Sequence, residues 1–79
     1  MVNIVARKIT HPQYRFIAEI SLFEPGTTEP YFPSDELTDE ILSWCKQAKL
    51  GRRVSYDMWT FRNEQEMLAF ILRWNNVQI

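Results

Sequence analysis

Polar and apolar residues alternate early in the chain. Residues 2–9, Val-Asn-Ile-Val-Ala-Arg-Lys-Ile, are rich in β-branched side chains and read as a strand. Thr10-His11-Pro12-Gln13 reads as a turn, because proline fixes φ and cannot continue a ladder. Residues 14–23 then alternate: Tyr14, Phe16, Ala18, Ile20 and Leu22 point one way, and Arg15, Ile17, Glu19, Ser21 and Phe23 the other. The two strands should form a hairpin. Residues 24–33 hold three of the four prolines and read as an irregular loop.

The period then changes. Ser34 is placed as an N-cap, with Asp35 and Glu36 in the first helical turn. Leu37, Ile41, Trp44, Cys45 and Ala48 follow as one apolar stripe, and Gly51 is placed to end the helix in a left-handed conformation. Residues 52–61 read as a third strand, with Val54, Tyr56 and Met58 on one face and Trp59 and Phe61 on the other. Asn63 with Glu66 is an Asn form of the capping box. Met67, Phe70, Ile71 and Trp74, widened by Leu68 and Leu72, form a second helical stripe that ends at Asn75 and Asn76.

The predicted order is β-β-α-β-α. It implies an α+β two-layer sandwich: a three-stranded, mainly antiparallel sheet with both helices on one face. The preferred strand order is 2-1-3; the alternative sets the third strand parallel and next to the second. In either case the sheet's other face carries Val5, Ile9, Ile17, Phe23, Trp59 and Phe61 beside Arg7, Arg15, Glu19 and Asp57. An apolar face of that kind marks an interface, in its simplest form a symmetric homodimer, unless the loop and the tail Val77-Gln78-Ile79 cover it.

At 79 residues the chain is one domain, 1–79. A core this small is marginal, so self-association or a partner would help it. The first eight residues lack the long apolar stretch of a signal peptide, no apolar run is long enough to span a bilayer, and Cys45 is the one cysteine. The expectation is a cytoplasmic protein with no membrane contact.

Charge is close to balanced, with nine Lys and Arg against ten Asp and Glu. That argues against a phosphate-backbone binder. The charges are segregated, however. Between Phe16 and Cys45 stand Glu19, Glu24, Glu29, Asp35, Glu36, Asp39 and Glu40 with no base, and from Lys46 to Arg53 stand Lys46, Lys49, Arg52 and Arg53 with no acid. Helix polarity accounts for part of this. The alternative is an acidic face that meets a basic partner.

Catalytic chemistry is sparse. A single histidine, His11, cannot build a two-histidine metal site, and Cys45 lies on an apolar helical stripe. Gly26 and Gly51 do not make a phosphate-binding loop. The carboxylate pairs Asp35/Glu36 and Asp39/Glu40 lie on a polar helix face rather than in a cleft that would shift their pKa values. The expectation is therefore no enzyme, no cofactor and no metal.

The run from Trp59 to Trp74, Trp-Thr-Phe-Arg-Asn-Glu-Gln-Glu-Met-Leu-Ala-Phe-Ile-Leu-Arg-Trp, resembles the C-terminal end of small uncharacterised proteins from tailed bacteriophages. There an aromatic strand end leads through Asn/Asp-Glu into Phe-x-Leu-x-Trp on a helix. The resemblance implies a setting: short phage proteins without catalytic motifs often bind and block a host protein. It carries over no functional residue.

Together these readings predict a non-enzymatic protein-binding module that occludes a host protein's surface. Its candidate binding residues are Glu24, Glu29, Tyr31, Phe32, Asp35, Glu36, Asp39 and Glu40, with the two aromatics as anchors and the acids as steering charges. Ile17, Phe23, Trp59 and Phe61 are candidates for a dimer or second interface. A homo-oligomeric assembly protein is the alternative. A single-stranded nucleic-acid module, stacking bases on Trp59, Phe61 and Phe23 beside Arg7 and Arg15, is the third.

Overall fold

The computed structural model describes residues 2–78 and is an α+β fold with one antiparallel sheet. Its elements are β1 (Asn3–Lys8), β2 (Ile17–Phe23), α1 (Asp35–Ala48), β3 (Arg52–Ser55), β4 (Met58–Thr60) and α2 (Glu64–Trp74). The sheet has four strands in the order β1-β2-β4-β3, not three in the order 2-1-3. The expected third strand breaks at Tyr56-Asp57 into a hairpin, with a register shift between Arg53 and Ser55. β4 lies antiparallel beside β2, and β3, antiparallel to β4, runs parallel to β2 one strand away. The strand that follows α1 is thus a parallel crossover, and its hairpin partner folds back into the gap.

That hairpin decides which side chains enter the core. Ile4, Ala6, Ala18, Ile20 and Leu22 face the helices, as the alternation predicts. Trp59, opposite Ala18 and therefore on the same face, is fully buried, and Phe61 is nearly so. Neither ring lies on the open face, so the predicted second interface does not exist as a patch. Ile17 and Phe23 have the opposite parity from Trp59 and Phe61. The middle of the helix-free face holds instead an ion pair between directly opposed Arg7 and Glu19, at 3.1 Å, with Ser21 donating to the same carboxylate.

Both helices join the same buried cluster, α1 through Leu37, Ile41 and Cys45, and α2 through Met67, Phe70 and Trp74. Ala48 and Leu72, expected on the two apolar stripes, are exposed. Ser34 caps α1 by accepting from Leu37 N–H, and Asn63 caps α2 by accepting from Glu66 N–H. The Glu66 carboxylate does not close the box on Asn63; it accepts from the Arg62 backbone and guanidinium instead.

At the other end of α1, Lys49 rather than Gly51 takes the left-handed cap position, with φ 58°. Gly51 is needed two residues later. Its φ is +79°, and a Cβ there would lie 2.9 Å from Phe61 Cε1 and 3.4 Å from Cys45 Sγ.

The expected tail cover is only partly right. Asn75 and Asn76 stop α2 and fasten the chain along the outer edge of β1. Asn75 Oδ1 accepts from Ala6 N–H, Asn76 N–H donates to Ile4 O, and Ile4 N–H donates to Val77 O. The tail thus closes an edge rather than the open face; Ile79 lies outside the described residues.

Gly51 and Gly26 offer a controlled comparison. Both have positive φ, but nothing lies within 4 Å of a Cβ built at Gly26. Gly26→Ala should cost about 1–2 kcal/mol, the left-handed penalty alone. Gly51→Ala should cost at least about 1 kcal/mol more, because its methyl overpacks Phe61. Urea unfolding of the two variants measures the difference.

Candidate functional site

The exposed aromatic side chains, Tyr31, Phe32 and Tyr56, gather where the loop after β2 meets the β3–β4 turn. The loop is irregular in sequence but not unattached. Tyr31 exchanges both backbone hydrogen bonds with Leu22, each at 3.0 Å, and so extends the sheet past the end of β4. This fixes the chain on either side of Tyr31 and presents Phe32, which is 71% exposed. Its ring lies 6.5 Å from that of Tyr56, which is 73% exposed in the hairpin turn.

The turn is itself braced. Arg53 donates through its guanidinium to Ser55 O and Tyr56 O, at 2.9 and 3.0 Å, and lies over the Tyr56 ring at 5.7 Å. Two backbone-anchored aromatics are thereby held together in solvent at one end of the sheet. Partial burial, and after it repulsion from Glu19, raises the pKa of Asp57 in the same turn.

All eight residues predicted to bind a partner are exposed. The structure brings Glu24, Glu29 and Tyr31 together around a shallow hollow with Gly26, Thr27 and Thr28. Asp35, Glu36, Asp39 and Glu40 stand on the solvent side of α1, with no ion pair among the described residues. Phe32 links the two groups along the chain. Sequence reasoning missed Tyr56. An unbroken strand over 52–61 would have turned it toward the helices, and only the turn at Asp57 makes it an exposed tip.

Other chemistry is confined. His11 Nδ1 accepts from the Gln13 backbone, and its ring lies 5.0 Å from Tyr14. Cys45 is buried, and burial pushes its thiol up to about 11. Among the described residues, no three His, Cys, Asp or Glu side chains are placed to hold a metal ion, and no helix is long and apolar enough to cross a membrane. The indole N–H groups of Trp59 and Trp74 are buried without an acceptor among the described residues. Each is a desolvation cost the aromatic core must offset.

No family model matches the chain, and no curated protein or solved structure is similar enough to count as a match.

The Cys45 environment gives a pH signature. Its pKa lies near 9.0 when unfolded and about 11 when folded. Between those values the unfolded state releases its proton more readily, so stability falls as pH rises. The slope approaches about 1.4 kcal/mol per pH unit and vanishes below pH 9. Denaturant unfolding in alkaline buffer should show a shallower fall for Cys45→Ala than for the parent chain. A thiol reagent at mildly alkaline pH should label Cys45 only after denaturation.

Proposed function

We propose that this protein is a non-enzymatic binding module that occupies the surface of a partner protein, as a phage-encoded inhibitor or modulator acting in the host cytoplasm. The exposed Phe32–Tyr56 pair carries this reading. Two rings held in solvent by fixed backbone lose little entropy when a partner buries them, which is the usual character of interface anchors. The acids of the loop and of α1 border the pair in sequence and would steer a basic partner toward it. The phage setting rests on the resemblance of residues 59–74. Trp59, Phe61, Phe70 and Trp74 in that run are core residues, so the likeness speaks to the fold rather than to the contact.

Self-association has a separate observation behind it. Leu68 and Leu72, one turn apart on α2, are 47% and 83% exposed. They offer a second copy an apolar strip that does not involve Phe32.

Tagged protein should retain one stoichiometric partner from nuclease-treated bacterial lysate. The double variant F32A/Y56A should lose it, with binding to the purified partner at least about 30-fold weaker, as expected for hot-spot anchors. Charge reversal at Asp35, Glu36, Asp39 and Glu40 should slow association and change its salt dependence. Retention of the partner by F32A/Y56A would remove the aromatic pair from the interface. A concentration-dependent mass with no partner, abolished by Leu72→Glu, would favour the assembly reading.

A further inference from the structure

An antiparallel sheet exposes unpaired backbone groups at its two outer strands, and three chain segments here bear on that. The tail 75–78 closes the edge of β1. Tyr31 closes the part of β2 that extends past β4. The outer edge of β3 receives no backbone hydrogen bond from any described segment. At the start of that strand, Arg52 and Arg53 contribute to a groove of about 750 Å³ that also takes in the end of β4 and the last turn of α1. Five cations line it, Lys46, Lys49, Arg52, Arg53 and Arg62, and no carboxylate does. Its remaining surface includes Leu42, Leu50 and Phe61.

These cations differ in what occupies them. Arg62 is paired with Glu66, and Arg53 braces the hairpin turn. Lys46, Lys49 and Arg52 have no ion pair or side-chain hydrogen bond among the described residues. The negative end of the α1 dipole explains a lysine near the helix end. It does not explain Arg52 on the strand, nor a groove that excludes acids in a chain with more acids than bases.

We propose that this groove binds an extended acidic segment of a partner protein, which adds as a strand to the open edge of β3 and sets its carboxylates against Lys46, Lys49 and Arg52. Strand addition supplies main-chain hydrogen bonds, and side chains of one parity enter the groove. Charge complementarity selects acidic over neutral peptides. Single-stranded nucleic acid fits less well: Phe61 is the one aromatic lining the groove and is only 7% exposed, so no ring is free to stack a base. The acids of a second copy are a poorer match as well. Those of α1 are held in a helix, whose backbone groups are already paired and cannot add to a strand edge.

Arg53 is the one groove residue that touches Tyr56, so the test rests on Lys46 and Arg52, which lie outside the Phe32–Tyr56 surface. The probe is a fluorescent peptide of about six residues, the usual strand length, alternating Glu with Val and Thr. Anisotropy with the full chain should show saturable binding that weakens with added salt. K46E/R52E should bind at least tenfold more weakly, and K46Q/R52Q should fall between it and the parent, with the circular dichroism spectrum unchanged in both and the melting of K46E/R52E lowered only by the few degrees an acid at the end of α1 costs. The same peptide methylated on alternate backbone nitrogens keeps its charge but cannot pair, and should also lose at least tenfold. F32A alone, which touches no groove residue, should bind the probe as the parent does. Equal binding of the methylated peptide would overturn strand addition. Equal binding by K46E/R52E, or a preference for an oligothymidylate over the peptide, would overturn the acidic-segment assignment.

Discussion

Phe70 is the contact on which the arrangement depends. Its ring lies 5.0 Å from Phe61, 5.6 Å from Trp59 and 6.3 Å from Trp44. It therefore ties α2 to the end of the sheet and to α1 at once, and Trp44 continues the chain of rings to Trp74, edge-on at 6.2 Å. Each such pair adds about 0.5–1.5 kcal/mol beyond the area it buries. In a chain this short that is a large share of a stability of about 5–15 kcal/mol. The cluster fits the strand order: Trp59 and Phe61 reach Phe70 from the helix side of β4, which the hairpin at Tyr56-Asp57 sets beside β2.

Edges are the second constraint. A four-stranded sheet in so small a chain has little to cover its ends, and the fold draws on segments without regular structure. The loop lends Tyr31 to β2, and the tail lends Asn75, Asn76 and Val77 to β1. Both attachments have structural consequences beyond edge cover. The first holds Phe32 out in solvent beside Tyr56. The second ties the two ends of the chain together across the sheet. β3 is treated differently: it is short, bulged, cationic and open, the features by which natural edges avoid indiscriminate pairing while still accepting a complementary strand.

The surfaces follow the charge segregation. α1 spans about 21 Å by its 14 residues, with acids along its start and bases at its end. From Glu40, the last of the acids, to Lys46, the first of the bases, is about 9 Å along the axis, about one screening length at physiological salt, so each end keeps much of its own sign toward a ligand. A net charge near zero therefore conceals two fields of opposite sign. The composition argument against a strongly basic binder holds for the molecule as a whole but not for the groove beside β3.

Local chemistry made much of this legible in the sequence. Ser34 and Asn63 cap their helices because a side-chain oxygen two or three residues away is all an N-terminus requires. The alternation of β2 correctly sent Ala18, Ile20 and Leu22 inward, since its period is fixed by the pleat. The acidic residues were legible as exposed because their polar spacing reports solvent, whereas the sequence left Tyr31 and Phe32 open between packing on the sheet edge and facing a partner. What the sequence left open was anything decided between distant segments. The side taken by Trp59 and Phe61 and the open edge of β3 depend on which strand lies beside which, and the exposure of Tyr56 on the turn that lets β4 fold back there. That choice lies in the pairing of β4 with β2, a strand far back along the chain, which no spacing along residues 52–61 encodes.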